Sequence, residues 1–197
     1  MSGRVVDSDA HADNNRDPMN PPAVFLDRDG VLNRAVVRDG KPYPPASLEA
    51  LEILPDVPHA LARLKKAGYR LVVVTNQPDV ARGEQDQRVV EAINGALRSS
   101  LPLDEVRVCY HDDRDRCACR KPNPGLLLQP PAHDLSRSVM VGDRWRDIEA
   151  GIRAHARATV LIERGYDEAC PVAPDVRVGS LAEAADWILK LDDSRRL

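Results

Sequence analysis

The sequence predicts an α/β protein in which a doubly wound parallel sheet carries helices on both faces. Three observations predict it. Short apolar runs without alternation recur along the chain, as strands buried on both faces require. Stretches with helical spacing lie between them, so each strand returns by a crossover. Three of the runs end in polar residues with chemical uses: Asp27/Asp29, Thr75/Asn76 and Asp143. A sheet of this kind can bring those ends together at one edge.

In order, residues 24–26 are the first strand. It runs into Asp27-Arg28-Asp29-Gly30, where side chains two apart point the same way, about 6–7 Å from each other. Two carboxylates so close repel, so either a cation sits between them or one holds a proton. Gly30 lets the backbone turn and approach a bound group. Residues 33–54 suit a loop or flap over this strand's edge. Residues 55–67 form a helix: Pro55 fits its first turn, Val57, Ala60, Leu61, Leu64 and Ala67 make one apolar stripe, and Gly68 stops it. Residues 70–74 are the second strand, ending in Thr75-Asn76-Gln77. Residues 86–98 have helical spacing at Val89, Val90, Ile93 and Leu97. Residues 106–109 are the third strand, before a cysteine/histidine loop and Arg120-Lys121-Pro122. Asn123-Pro124 starts a short helix cut off by Pro130-Pro131. Residues 138–141 are the fourth strand, ending in Gly142-Asp143-Arg144. Residues 147–154 are helical, 158–162 the fifth strand, and 181–191 a closing helix.

A chain of 197 residues can bury the core of one domain, and with only 4% aromatics that core must be aliphatic. The expected division is a disordered lead-in over 1–22, one domain over 23–192 and a tail over 193–197. A net charge of −3, with no basic tract or aromatic-interleaved patch, argues against nucleic-acid binding. No apolar run is long enough to span a membrane, and residues 1–22 lack the apolar region of a signal peptide. Of four cysteines, three lie between Cys109 and Cys119, which suggests a metal site in a reducing compartment rather than a disulfide framework. A cytoplasmic monomer is expected. Cys109-x-His111, five residues, then Cys117-x-Cys119 offers three thiolates and one imidazole, a set that fits a closed tetrahedral Zn²⁺ site. The alternative is a group of reduced, buried cysteines beside an exposed histidine. Cys170 reads as an ordinary thiol.

The ordered set Asp27-x-Asp29-Gly30-Val31, Val74-Thr75-Asn76-Gln77, Lys121-Pro122 and Gly142-Asp143-Arg144 with Asp147 is similar to the four motifs of the haloacid dehalogenase (HAD) superfamily. The likeness covers residues 23–162. Asp-Arg-Asp-Gly-Val-Leu-Asn, Val-Thr-Asn-Gln and Cys-Arg-Lys-Pro resemble, more narrowly, its capless branch of heptose bisphosphate and histidinol-phosphate phosphatases. The resemblance implies a HAD-like, Rossmann-like sheet with no cap domain and with a zinc-binding loop. No long insertion beyond that loop interrupts residues 27–121.

The resemblance also implies a Mg²⁺-dependent phosphomonoester hydrolase. Asp27 would form an aspartyl-phosphate, and Asp29 would act as general acid, then base. Mg²⁺ would be held by Asp27, Asp143 and the backbone carbonyl of Asp29. Thr75, Asn76 and amides near Gly30 would bond phosphate oxygens, and Lys121 would offset charge on the transferring group. Cys109, His111, Cys117 and Cys119 would hold a structural zinc that rigidifies the loop presenting Arg120 and Lys121.

Substrate contacts are expected from Gly30, Asn33, Arg34, Asn76, Gln77, Arg120 and Arg144, since arginines suit a second phosphate or a polyhydroxylated sugar. The resemblance points first to the 7-phosphate of a heptose 1,7-bisphosphate. Histidinol phosphate is the alternative substrate, and a catalytically silent zinc-loop binding protein the non-enzyme alternative. The chain departs from the family pattern at Pro78-Asp79-Val80, at Tyr110, at His155 where a helix-ending glycine is common, and over 126–134. That last segment is shortened, with an expected loosening of the packing beside Asp143.

Overall fold

The computed structural model describes residues 20–193. The expected lead-in, apart from residues 20–22, and residues 194–197 lie outside the described residues.

The chain runs β1 (Ala23–Leu26), β2 (Val36–Arg38), β3 (Lys41–Tyr43), α1 (Val57–Lys66), β4 (Arg70–Asn76), α2 (Pro78–Ala81), α3 (Gln87–Ser100) and β5 (Glu105–Cys109). It continues through α4 (Gly125–Leu128), β6 (Val139–Gly142), α5 (Trp145–Arg153), β7 (Ala158–Ile162), β8 (Val176–Val178) and α6 (Leu181–Asp193). Six strands form one sheet in the order β5-β4-β1-β6-β7-β8, and every neighbouring pair is parallel. The strand order reverses at β1, which puts a crevice at the carboxyl ends of β1, β4 and β6. Register fixes that crevice: Leu26 pairs with Val73 on one side and Val141 on the other.

Alternate side chains of the buried strands feed two cores. Val24 and Leu26 join Leu61, Leu64, Ile93, Leu97 and Ile188, so α1, α3 and α6 cover one face. Phe25 joins Val72, Val74, Leu126, Met140 and Ala150, so α4 and α5 cover the other. Asp86 caps α3 by accepting from the Arg88 amide at 2.8 Å. Gly68 follows α1 at φ +95°, and His155 adopts φ +58° past the end of α5.

Three features differ from the sequence reading. The 33–54 stretch holds an antiparallel hairpin, β2–β3, whose two-residue turn Asp39-Gly40 has positive φ at both positions. Asp-Gly is a strong signal for that turn. The sheet gains a sixth strand, β8, only three residues long and without a buried residue. The 126–134 segment, whose shortness led to the expectation of looser packing beside Asp143, is itself pinned. Leu126 and Leu127 are buried, and Arg107, 6% exposed, donates to the carbonyls of Leu126 (2.9 Å), Leu127 (3.3 Å) and Pro131 (2.9 Å).

Candidate active site and metal centres

A cleft of about 270 Å³ opens at the carboxyl ends of β1, β4 and β6. Asp27, Asp29, Thr75 and Asn76 line it from the strand ends. The β2–β3 hairpin contributes Lys41 and Tyr43, the α2 segment Pro78, Asp79 and Arg82, the loop after β5 Asp113, Arg120 and Lys121, and the start of α5 Arg144, Arg146 and Asp147.

Lys121 joins the parts. Only 2% exposed, its Nζ lies 2.6 Å from Asp27 Oδ1, 2.5 Å from Asp147 Oδ1 and 2.6 Å from the Val74 carbonyl. Burial alone would lower the lysine's pKa, but Asp147 and Asp27 outweigh it and hold the ammonium well above the usual lysine value. Asn76 clamps the Lys121 backbone at two points, accepting from its amide (3.1 Å) and donating to its carbonyl (3.0 Å).

Asp27 is buried, which raises its pKa. Lys121 pulls the value down, Asp147 and Asp29 push it up, and the balance is about 6. Burial, then Asp27 and Asp147, push Asp143 well above the carboxylate range. Asp143 Oδ2 accepts from the Tyr166 hydroxyl at 2.7 Å, whereas Oδ1 has no hydrogen-bond partner. Asp27, Asp143 and Asp147 each offer an oxygen within 4.8 Å of the others. Three buried carboxylates face one ammonium, and one buried oxygen has no partner. A cation with hard oxygen ligands fits that set. Gly30, at φ +89°, is required by the close approach: a Cβ there would lie 1.8 Å from Asp143 Oδ2.

Asp29 is held from one side. Arg28, fully buried, reaches it through Nη2 at 2.9 Å, Asn33 Nδ2 donates at 3.0 Å and Gln77 Nε2 at 2.9 Å. Arg28 is itself fixed by Asn94 Oδ1 of α3 at 2.9 Å. Gln77 also donates to Thr75 Oγ1 at 3.0 Å.

The residues expected to touch substrate therefore divide. Arg120, Arg144 and Asn76 line the cleft, and Gly30, Asn33 and Gln77 are buried behind it, holding or making room for the carboxylates. Arg34 is not brought to the cleft: its side chain is 61% exposed and pairs with Glu52 at 2.8 Å. The sequence reading did not single out Lys41, Tyr43, Arg82, Asp113 and Arg146, nor Arg28 and Tyr166 behind them. Asp147 was part of a motif but had no role. Its place four residues after Asp143, at the start of α5, was the available signal.

The cysteine/histidine loop gathers its four side chains. The sulfurs of Cys109, Cys117 and Cys119 lie 3.2–3.7 Å apart, and His111 Nδ1 lies 3.6 Å from Cys109 and 3.3 Å from Cys119. A tetrahedral zinc–thiolate site has ligand separations of about 3.7 Å, so the cluster is compact enough for one ion. The Arg120 amide donates to Cys117 Sγ at 3.3 Å, which ties the cluster to the segment bearing Lys121.

Compared with known proteins, residues 33–155 match the haloacid dehalogenase-like hydrolase family model. The chain is 35% identical over 183 residues to the D-glycero-beta-D-manno-heptose-1,7-bisphosphate 7-phosphatase of Escherichia coli (strain K12), covering 85% of this chain and 88% of that protein. It is 37% identical over 157 residues to the protein of the same name from Haemophilus influenzae, covering 73% and 82%. Among solved structures it is similar to D,D-heptose 1.7-bisphosphate phosphatase from B. bronchiseptica complexed with magnesium and phosphate. That likeness has a TM-score of 0.72 and 31% identity, over 86% of this chain and 99% of that one. It is also similar to the enzyme from Burkholderia Thailandensis, with a TM-score of 0.61 and 26% identity, over 85% and 98%.

Proposed function

This chain belongs to the haloacid dehalogenase-like hydrolases, and from that premise we propose that it removes the 7-phosphate of D-glycero-D-manno-heptose 1,7-bisphosphate through an aspartyl-phosphate on Asp27. One observation supports the chemistry above the others. Lys121 joins Asp27 to Asp147 in a buried site where Asp143 keeps an oxygen without a partner.

Asp27 lines the cleft with Oδ1 fixed by Lys121, which holds its carboxylate in place for attack on phosphorus. The Lys121 ammonium offsets charge on the transferring phosphoryl group. Thr75 Oγ1 accepts from Gln77, which leaves its hydroxyl hydrogen to donate to a phosphate oxygen. Asn76 spends both side-chain groups on the Lys121 backbone and so places that lysine. Asp29, immobilised by Arg28, Asn33 and Gln77, donates a proton to the leaving alkoxide and then takes one from the hydrolytic water.

Asp27 and Asp143, from the cluster they form with Asp147, would hold Mg²⁺ together with the Asp29 carbonyl that the family resemblance implies; the ion would neutralise the repulsion between a carboxylate and a phosphate dianion. Cys109, His111, Cys117 and Cys119 would hold Zn²⁺ with no open position, a structural role. No described helix is long and apolar enough to cross a membrane.

The test compares turnover of heptose 1,7-bisphosphate and histidinol phosphate with Mg²⁺ present. The heptose ester should be preferred, and Asp27→Asn should abolish turnover while keeping the fold. Preference for histidinol phosphate would replace the substrate. An Asp27→Asn variant with near wild-type turnover would remove the nucleophile.

A further inference from the structure

Residues 164–168, between β7 and β8, form a strap along the side of the site away from Lys121, and nothing in their sequence marked them. Their side chains alternate, with 163, 165 and 167 exposed and 164, 166 and 168 turned partly inward. The strap's contacts fall on three segments of the site: the turn after β1, the β2–β3 hairpin and the residues that follow β6. Arg164 Nε donates to the Gly30 carbonyl at 2.7 Å. The Tyr166 hydroxyl donates to Asp143 Oδ2 at 2.7 Å. The Asp167 amide donates to the Gly40 carbonyl, in the turn of the β2–β3 hairpin, at 3.0 Å. Glu168 accepts from Arg144 at 2.8 and 2.6 Å and from Trp145 Nε1 at 3.0 Å.

We propose that Tyr166 is a positioning residue for Asp143: its hydroxyl fixes one carboxylate oxygen so that the other is left for the divalent cation. This rests on the metal reading of the site given above. Asp143 is buried, and Tyr166 is its one hydrogen-bond donor among the described residues. Lys121 bonds Asp27 and Asp147 instead. Without the phenol, the Asp143 carboxylate could rotate about its last bond, and either oxygen could turn from the cation. The backbone makes room for this pair, since a Cβ on Gly30 would meet Asp143 Oδ2 at 1.8 Å and the Tyr166 hydroxyl at 2.7 Å. Groups that hold a metal ligand from behind set its orientation, and their loss commonly weakens metal binding about 10–100-fold.

The experiment titrates wild type and Tyr166→Phe with Mn²⁺ as a paramagnetic stand-in for Mg²⁺, following free Mn²⁺ by electron paramagnetic resonance without substrate. The Kd of the variant should rise about tenfold or more, while its melting temperature in magnesium-free buffer and its zinc content stay at wild-type values. At saturating Mg²⁺ its kcat should largely recover, because the cost lies in ligand placement. A variant that binds Mn²⁺ within twofold of wild type overturns the proposal, as does one that only melts earlier. Should the Phe variant fail to fold, Tyr166→Met fills the space without a polar atom and repeats the test. The readout needs no turnover, so a wild type that binds Mn²⁺ but spares the heptose ester leaves this proposal standing. A wild type that takes up no Mn²⁺ overturns the metal reading and this proposal together.

Discussion

Lys121 holds the site together, and the proposed reaction gives the same residue a chemical part. Its ammonium is buried against Asp27, Asp147 and the Val74 carbonyl, so it offsets the repulsion between two carboxylates held close together. Removing one partner of a buried ion pair leaves an uncompensated charge and costs about 3–5 kcal/mol. Lys121→Met should therefore lose about that much stability in magnesium-free urea unfolding, and lose turnover as well. A variant of unchanged stability would mean that the carboxylates do not depend on the lysine. At this scale legibility followed chemical necessity. Asp27, Asp29, Lys121 and Asp143 could be picked out because few other residue types suit the chemistry proposed for them. Arg34 was expected in the cleft on residue type alone, but its partner Glu52 lies across a loop that no local pattern describes. Arg28, Asn94 and Tyr166 were invisible for the related reason that their roles are fixed only by packing between distant elements.

Between elements, two junctions decide how rigidly the cleft is held. The first is the cysteine/histidine loop, which runs from the end of β5 to Arg120. Asn123 donates to the Cys117 carbonyl at 2.8 Å and Gly125 to the Ala118 carbonyl at 3.0 Å, which bonds the cluster to the segment that follows Lys121. Metal binding to such a cluster is folding free energy. Verified removal of zinc should lower the melting temperature by at least about 5 °C, the shift that ~2 kcal/mol makes in a chain of this size. An unchanged melting curve would refute the structural role.

The second junction is Asp104, just before β5. It takes Lys65 at 2.5 Å, Arg70 at 2.7 Å and the Leu71 amide at 2.8 Å. Burial pushes its carboxyl up, but the Leu71 amide, Lys65 and Arg70 together hold it below the ordinary value. A depressed carboxyl stabilises the fold above the unfolded-state pKa, near about 4, and that contribution is lost as the pH falls through the folded value. Asp104→Asn should cost about 1–3 kcal/mol at neutral pH, and the gap to wild type should narrow in acid. Urea midpoints across the acid range check this, and a constant gap would show that charge is not the cause. The long buried strands were legible as apolar runs. β8 was not, because three half-exposed residues have no periodicity to detect. Looser packing beside Asp143 was expected because the 126–134 segment is short and carries Pro130-Pro131, and a polar residue in a strand gives no sign of its target. Arg107 fills the gap from β5.

For the molecule as a whole, the decisive fact is where the sheet reverses direction. β1 lies between β4 and β6, so polar ends far apart in sequence emerge as neighbours, and the four-motif reading of the chain becomes one cleft. Strand order follows from long-range pairing and was inferred only as a class, yet it is what makes the motifs a site. The cleft's charge is nearly balanced: six basic and five acidic side chains line it. Most of the arginines already have partners, since Arg120 and Arg146 share Asp113 at 2.8 and 3.6 Å, Arg82 holds Asp112 at 2.9 Å, and Arg144 holds Glu168 at 2.6 Å. A phosphate dianion entering this cleft meets little uncompensated positive charge until a divalent cation is present. Orthophosphate binding should therefore depend steeply on Mg²⁺. Because coupling between two ligands is reciprocal, phosphate should tighten Mg²⁺ binding by the same factor that Mg²⁺ tightens phosphate binding. Calorimetric titration of each ligand with and without the other measures both factors. Phosphate affinity indifferent to Mg²⁺ would mean that the paired arginines open to receive the anion and that the cation is not what admits it.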